Sequence, residues 1–408
     1  MLLGKRIVLG VCGGIAAYKA ADLVSKLTQA GAQVDVILTE RATQFVTPLT
    51  FSALSQRPVY ADLWEPTGEA AARHIERGRG ADLLLIAPAT ANTIARLAHG
   101  LADDMLSAVA LACPAPLLLV PAMESHMYQH PATQATLRLL VERGATEIAP
   151  ETGRLASGEI GQGRFPETAK ILGYARGLLG RNGDLAGRRV VVTAGGTQEP
   201  IDPVRYVGNH SSGLMGFAIA EEARDRGARV TLIAGATTAP LPAGLDVVRV
   251  TTALQMREAV FSAVRGADAL VMAAAVADYR VEHPAANKIK KGSSAENADG
   301  SITLRLVRNP DILADLAAEA REEGLIRVGF AAETTDVERN ATKKLQGKRL
   351  SLLVANDVSK EGSGFGTATN EVSILHADGR IEQLTLLPKT EVAAALWDRI
   401  VPLLRDRS

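Results

Sequence analysis

The chain has 408 residues with 45 basic and 45 acidic side chains, so it carries no formal net charge, and its hydrophobic and charged fractions (47% and 22%) exclude wholesale disorder. With aromatics at only 4%, the usual case for a nucleic-acid binder is absent. The longest apolar stretch, Ala108–Met123, contains Pro114, Pro116 and Pro121 and is too short to span a bilayer.

Lys5–Leu9 reads as a strand, Gly10–Gly14 as a glycine loop, the apolar-periodic stretch to Gln29 as a helix, and Val34–Leu38 as a second strand. Lys5 and Arg6 run straight into that first strand, so no signal peptide is read. Cys12 and Cys113 stand alone without metal-ligand spacing, which fits a reducing compartment, and a cytoplasmic location is expected. Further strands are expected at 83–87, 117–120 and 146–149, an alternation with helices that argues a parallel sheet covered on both faces. The polar, glycine-punctuated stretch Leu178–Gly187 divides the chain into a first domain, 1–178, a linker, 179–188, and a second domain, 189–408.

The second domain repeats the opening of the first. Arg189–Thr193 is a strand, Ala194-Gly-Gly196 a glycine loop, a helix ends near Arg226, and Val230–Ala234 is a strand. Gly227-Ala-Arg-Val230 matches Gly31-Ala-Gln-Val34, and Gly266-Ala-Asp268 matches Gly80-Ala-Asp82. Strands at 269–275, 303–307, 326–330 and 351–355 follow. The segment 279–301, rich in Ala, Gly, Ser, Asn and Lys, is longer than compact domains usually tolerate without purpose and reads as a flap. Glu371–His376 and Arg380–Leu387 flank an Ala-Asp-Gly turn signal for a hairpin, and a helix over 389–404 closes the chain. The fold class is α/β: two Rossmann-like domains, the second with a mostly parallel sheet and a C-terminal hairpin.

A glycine loop between strand and helix lets backbone N–H groups approach an anion, so two copies suggest two phosphate-bearing ligands. In the first domain Cys12–Lys19, Thr39, Pro88–Thr93 and Pro121–Tyr128 converge beyond the carboxyl ends of the strands. The G-x-G-x-x-G spacing is absent, and Thr39 stands where a ribose-binding acid would end the second strand. A hydroxyl suits a phosphate, so a mononucleotide such as a flavin fits better than a dinucleotide. The same loops read equally well as helix caps and tight turns.

Gly13-Gly-Ile-Ala-Ala-Tyr-Lys19, His74-Ile-Glu76, Ala87-Pro-Ala-Thr-Ala-Asn-Thr93, Pro121-Ala-Met123 and Gly161-Gln-Gly-Arg164 resemble the flavin-dependent cysteine decarboxylases, whose domain is flavodoxin-like. The second domain resembles the phosphopantothenate–cysteine ligases usually fused to them, and together they cover nearly the whole chain. The family resembled is that of the bifunctional phosphopantothenoylcysteine decarboxylase/phosphopantothenate–cysteine ligases of coenzyme A biosynthesis. The resemblance implies FMN held by Gly13, Gly14, Ile15, Thr39, Ala89, Thr90, Asn92, Thr93 and Met123. It also implies oxidation of the cysteine-derived thiol to a thioaldehyde, whose sulfur takes up electrons as carbon dioxide leaves. His74 matches the catalytic histidine, an imidazole able to take or return a proton near pH 7.

Two positions depart from the family pattern. Glu124 replaces an Asn thought to grip the substrate carboxylate; an ionised pair of carboxylates about 4 Å apart would cost on the order of 4 kcal/mol at an effective dielectric of about 20. Glu124 is therefore expected to be protonated, or turned aside with His126 or backbone N–H groups doing the gripping. Ser157 replaces a proton-donating Cys of the flap, so slower or rerouted reduction with a working decarboxylase is expected.

A ligase must first make its carboxylate electrophilic, and transfer to a nucleoside α-phosphate demands triphosphate-binding groups and a divalent cation. Candidates are Gly195-Gly-Thr197, the Asn209–Gly213 loop with Ser211 or Ser212 as helix N-cap, Lys288–Lys291 in the flap, and Lys344 with Lys348 four apart. These lysines also read as solvated surface. The resemblance implies CTP bound by Gly196, Ser212, Ala275, Asp278, Lys288, Asn309, Pro310, Asp311, Ile312, Phe330, Lys344 and Lys348. It further implies that Asn209 and Lys288 handle the acyl-cytidylate and its attack by cysteine. Magnesium is expected through the CTP phosphates, with Asp278 the candidate contact and no other metal ligand assigned. Asn309-Pro-Asp311 also reads as a helix start, cap then N1 proline. Leu214 stands where a Lys is common, and Lys290 or Arg205 is the candidate replacement.

Small-molecule partners only are expected, namely 4′-phosphopantothenate, cysteine and CTP, with neither nucleic acid nor membrane. The resemblance also implies homo-oligomers: dimers through the second domain and trimer-based dodecamers through the first. The alternative reading keeps only the ligase, with the first domain a flavin-binding oligomerisation scaffold impaired by Glu124 and Ser157. A nicotinamide oxidoreductase is disfavoured by the missing dinucleotide fingerprint.

Overall fold

The computed structural model describes residues 2–63, 78–291, 297, 299–319, 324–333, 345–357, 364 and 366–405. His74 and Lys344 lie outside the described residues. The chain forms two compact units, Met1–Gly180 and Arg181–Ser408. No helix among the described residues is long and apolar enough to cross a membrane.

In the first unit β1 (Arg6–Val11), β2 (Gln33–Leu38), β3 (Val59–Tyr60), β4 (Leu83–Ala89), β5 (Leu117–Pro121) and β6 (Thr146–Glu147) form a parallel sheet in the order β3-β2-β1-β4-β5-β6. Without the two-residue edge strand β3 this is the flavodoxin order, whose reversal beside β1 opens a crevice at the strand ends. Both faces are covered because successive side chains point opposite ways. Ile7, Leu9 and Val11 pack with Leu23, Val24 and Leu27 of the helix Lys19–Gln29, while Val8 and Cys12 pack with Ile94, Leu106 and Val109 on the other face. A separate antiparallel hairpin, β7 (Glu151–Arg154) and β8 (Ile160–Arg164), follows the sheet.

The second unit contains β9 (Arg189–Ala194), β10 (Gln198–Pro200), β11 (Tyr206–Gly208), β12 (Arg229–Ala234), β13 (Asp246–Arg249), β14 (Ala269–Met272), β15 (Tyr279–Val281), β16 (Leu306–Arg308), β17 (Ile326–Glu333), β18 (Leu352–Asp357), β19 (Thr369–His376) and β20 (Ile381–Pro388). The main sheet runs β13-β12-β9-β14-β17-β18-β19-β20, parallel except for the terminal hairpin β19–β20. The final helix, Lys389–Arg405, buries Trp397 completely, and its indole Nε1 donates to the carbonyl of Ile219 at 2.9 Å.

Three expectations need correction. The expected strand at 303–307 is β16, paired with β15 outside the main sheet. Its flanking Leu304 and Leu306 are exposed rather than alternately buried, so nothing draws this stretch into a core. The strand expected over 269–275 ends at Met272, because Ala275 turns off to pair with the glycine loop: its N–H donates to Gly195 O at 2.8 Å. The helix after Ser-Ser-Gly is capped by Gly213 rather than a serine; the Ser212 hydroxyl only reaches the Leu214 N–H, at 3.5 Å.

The internal repeat has a structural meaning. Asp82 Oδ2 accepts the first N–H of β1, from Arg6, at 2.8 Å, and Asp268 Oδ2 accepts that of β9, from Arg189, at 2.7 Å. At the matching helix exits Gly31 and Gly227 take φ 85° and 94°, the left-handed turn in which glycine costs least. The repeated residues therefore build the frame.

Candidate active sites

In the first unit, the glycine loop after β1 leads into a short 3-10 turn, Ile15–Tyr18, whose Ile15 and Tyr18 are exposed. A Cβ on Gly13 would sit 2.4 Å from Arg41 Cβ and 2.7 Å from its carbonyl carbon, so only glycine lets the loop lie this close to the chain after Thr39. Thr39 is fixed by its N–H to Val11 O at 3.1 Å. Beyond β4 the helix Ala91–His99 starts with Thr90 as cap, its hydroxyl accepting from Thr93 N–H at 3.4 Å. Ala89 is buried and Asn92 exposed at this helix start, so the expected FMN residues of both loops share the carboxyl edge of the sheet. Thr93 is itself buried, and its hydroxyl accepts the Cys12 thiol at 3.2 Å. It therefore serves the frame.

Burial pushes the Cys12 thiol above its ordinary value, so it stays a neutral thiol. In a Cys113→Ser background, a thiol-labelling time course should modify Cys12 only as fast as the first unit unfolds, whereas stoichiometric labelling of that native protein at pH 8 would contradict this.

The loop after β5 answers the question posed by Glu124. Its carboxylate is turned onto its own chain: Oε2 accepts the N–H groups of His126 at 2.8 Å and Met127 at 3.3 Å, capping the short helix Ser125–Gln129. Oε1 is buried without a hydrogen-bond partner. The β7–β8 hairpin closes against this loop. Met123 N–H donates to Gly163 O at 3.1 Å, and a Cβ on Gly163 would lie 2.0 Å from Met123 O. Glu159, at the hairpin tip, brings its carboxylate within 4.8 Å of ligand atoms of Glu124 and His126. Ser157 is exposed at the same tip.

In the second unit a cavity of about 380 Å³ opens beside the carboxyl ends of β14 and β17. It gathers Asn209, Ser212, Ala275, Asp278, Asn309, Pro310, Asp311, Ile312, Phe330 and Lys348, ten of the residues expected to handle nucleotide. Lys348 Nζ pairs with Asp311 Oδ2 at 2.8 Å. Asn309 donates to Ala277 O at 2.8 Å through its side-chain amide and to Asp278 O at 2.8 Å through its backbone, welding its loop to Ala277–Asp278. The helix here begins at Ile312, and Asp311 caps it by accepting from Ala314 N–H at 3.1 Å; Asn309 is thus not the cap, nor Pro310 the first helical residue. Gly196 instead lines a neighbouring cavity of about 680 Å³, with Asn209, Ser211 and Ser212 shared between the two.

Lys288 lines neither cavity. The flap beside it is latched: Ile289 N–H donates to Asp202 Oδ2 at 3.1 Å, and Arg205 donates to Ile289 O at 3.0 Å. Arg205 also pairs with Asp202, so part of its guanidinium serves the latch. That pairing, with the backbone N–H groups of Val204, Ile289 and Arg205, holds the Asp202 carboxyl well below the usual carboxylate range.

Sequence reasoning missed Asn356, Gly364, Asn370 and Lys389, which line the cavity from the C-terminal hairpin side. One signal was available: Lys389 is a cation at the first position of a helix, where the helix dipole disfavours it.

A family model described as Flavoprotein matches residues 1–180, and one described as DNA/pantothenate metabolism flavoprotein C-terminal domain matches residues 185–403. The chain is 45% identical over 406 residues to the coenzyme A biosynthesis bifunctional protein CoaBC of Bacillus subtilis, covering 99% of this chain and 98% of that protein. It is 46% identical over 400 residues to the protein of the same name from Escherichia coli K12, covering 98% and 97%. Among solved structures, the C-terminal domain of a CoaBC protein is similar at 38% identity with a TM-score of 0.46, covering 55% of this chain and 98% of that one.

Proposed function

Because the chain belongs to the family of bifunctional coenzyme A biosynthesis proteins, we propose that its second unit joins 4′-phosphopantothenate to cysteine at the expense of CTP and its first unit decarboxylates the product with FMN. The observation that carries the reading is the 380 Å³ cavity, where five separate segments bring one aromatic ring, a carboxylate–lysine pair and backbone amides together.

In the second unit Phe330 offers a face for the base, and Lys348 offers its charge to the triphosphate. Asn209, whose Nδ2 is held by Val276 O at 3.2 Å, stands where the two cavities meet. That position suits a residue steering the activated carboxylate from one cavity to its attacker in the other, and Lys288 in the flap is assigned to the same step. Asp278, exposed on the cavity wall, suits magnesium bound mainly through substrate phosphates, which needs only one or two protein carboxylates.

In the first unit the residues fit a flavin mononucleotide. The Gly13–Gly14 backbone and the start of the helix Ala91–His99 offer N–H groups to a phosphate, and Ile15, 61% exposed, offers apolar cover for a flat ring. Bound FMN would supply the reversible two-electron oxidation that gives the departing carboxylate's electrons an acceptor. Met123 holds the hairpin through Gly163, and His74 is assigned the proton transfer. Ser157, at the tip, delivers the last proton through water. We assign the homo-oligomer to both units, as trimer-based dodecamers through the first and dimers through the second; exposed Leu49 and Tyr18 in the first unit and Val204 and Tyr206 in the second support buried faces there.

The test uses the full chain reconstituted with flavin. Pyrophosphate should form only when CTP and 4′-phosphopantothenate are both present, sustained turnover with CMP release should further require cysteine, and labelled carbon dioxide should leave the product at a rate tracking bound flavin. Colourless protein that yields no pyrophosphate would refute both halves.

A further inference from the structure

Lys389 begins the final helix, where its charge opposes the positive end of the helix dipole. Yet the residue is only 6% exposed. Its Nζ donates to Gly364 O at 3.1 Å, to the carbonyl of Thr367, and to Thr367 Oγ1 at 3.4 Å. All three acceptors are neutral, and no carboxylate among the described residues lies within ion-pair distance of Nζ. A buried cation without a counter-charge is costly, and burial accordingly pushes this ammonium below the usual lysine range. Of the two lysines among the lining residues, Lys348 has Asp311 beside it and Lys389 has no acid. The segment that holds Lys389 is part of the same wall: Gly364 lines the cavity and donates its N–H to Asn370 Oδ1 at 3.2 Å.

We propose that Lys389 is a phosphate-recruiting residue of this cavity, its pinned ammonium being the standing positive charge that a substrate phosphate neutralises on binding. The inference rests on the ligase reading above. It deepens that reading by assigning the charge complement of the ligand to a residue outside the nucleotide loops. Because the three protons of the ammonium are already used, Lys389 acts through its field and through its hold on Gly364, as a positioning residue.

The ligand phosphate belongs either to the nucleotide or to 4′-phosphopantothenate, and steady-state ligation by the full-length flavin-loaded protein separates them. In Lys389→Gln the KM of one phosphorylated substrate should rise about tenfold, with kcat within about threefold and the KM for cysteine unchanged; the substrate whose KM moves is the one recruited. Decarboxylation by the same preparation should stay at the wild-type rate. Thr367→Val, which keeps the charge and both carbonyl acceptors, should leave every KM within about twofold. Unchanged KM values in Lys389→Gln, or an equal rise in Thr367→Val, would overturn the proposal. Should Lys389→Gln fail to fold, Lys389→Arg is read in its place: KM near wild type supports the charge, a tenfold rise opposes it, and misfolding of both variants would leave Lys389 a folding residue and also overturn it. Absence of ligation by the wild type would instead fault the ligase reading itself.

Discussion

Gly163→Ala should abolish carbon dioxide release while leaving ligation intact. The added methyl carbon would lie 2.0 Å from the carbonyl oxygen of Met123, a backbone atom that cannot rotate away. The hairpin must therefore lift off the Met123–Glu124 loop, breaking the Met123 N–H to Gly163 O bond of 3.1 Å. A shift of about 1 Å in a group that positions substrate typically costs about 100-fold in rate, and at least that loss is expected in decarboxylation. In Gly161→Ala the added Cβ would meet Ser125 Oγ at 2.7 Å and Ser125 Cβ at 2.8 Å, so it too should disturb the seat of the hairpin. Gly153→Ala, whose Cβ meets only the flexible Arg164 side chain at 3.3 Å, should cost much less and serves as the mild control. Labelled carbon dioxide release and pyrophosphate production, measured on one preparation, check both; equal rates for Gly163→Ala and wild type would rule out the hairpin's assigned part in substrate binding.

Asp202→Ala should have the opposite selectivity, collapsing ligation while sparing decarboxylation. The Asp202 side chain is fully buried and accepts from Val204 N–H and Arg205 N–H, both at 2.8 Å, from the Arg205 guanidinium, and from Ile289 N–H at 3.1 Å. Removing it frees the backbone next to Lys288 and leaves Arg205 without its anion. Loss of a fixed position for a reacting side chain again predicts about 100-fold in the ligation rate, with the activated acyl-nucleotide accumulating if Lys288 serves the second half-reaction. Quenched-flow separation of intermediate from product decides it. The pH behaviour has a definite sign. A carboxyl depressed in the folded state contributes stability above its unfolded pKa and loses it only as pH falls through the folded value. Arg205 is the chief cause of that depression, so the latch should hold without change from pH 5 to pH 9. An inflection of the wild-type ligation rate near pH 6 must then come from another group.

The two positions that depart from the family pattern show how far residue types alone can be read. Glu124 posed an electrostatic problem in the sequence, two carboxylates in one pocket. The structure removes half of it by spending Oε2 on the N–H groups of His126 and Met127. A carboxylate at a helix start is stabilised by the same N–H groups an amide would use, so replacing Asn by Glu keeps the cap and adds one unpaired oxygen. For the charge missing at Leu214, one candidate substitute, Arg205, is shared with the latch through Asp202 and Ile289.

Hydrophobic periodicity and glycine placement were enough to determine the two-unit α/β plan, most strands of both sheets and the C-terminal hairpin, because these depend on interactions between near neighbours along the chain. The two copies of Gly-Ala-Asp were visible as a repeat, but their purpose, capping the first N–H of a central strand, required knowing which strands lie side by side. The same holds for the sites. Asp278, Asn309–Ile312 and Lys348 were legible one by one, yet their closure into one cavity, the latch of Ile289 on Asp202, and above all the buried ammonium of Lys389 depend on residues about 20 to 200 positions apart meeting. Local sequence encodes propensity, whereas desolvation and pairing of charge belong to the packed chain, so only the tertiary structure could reveal that Lys348 has its acid beside it and that the buried Lys389 has only neutral acceptors.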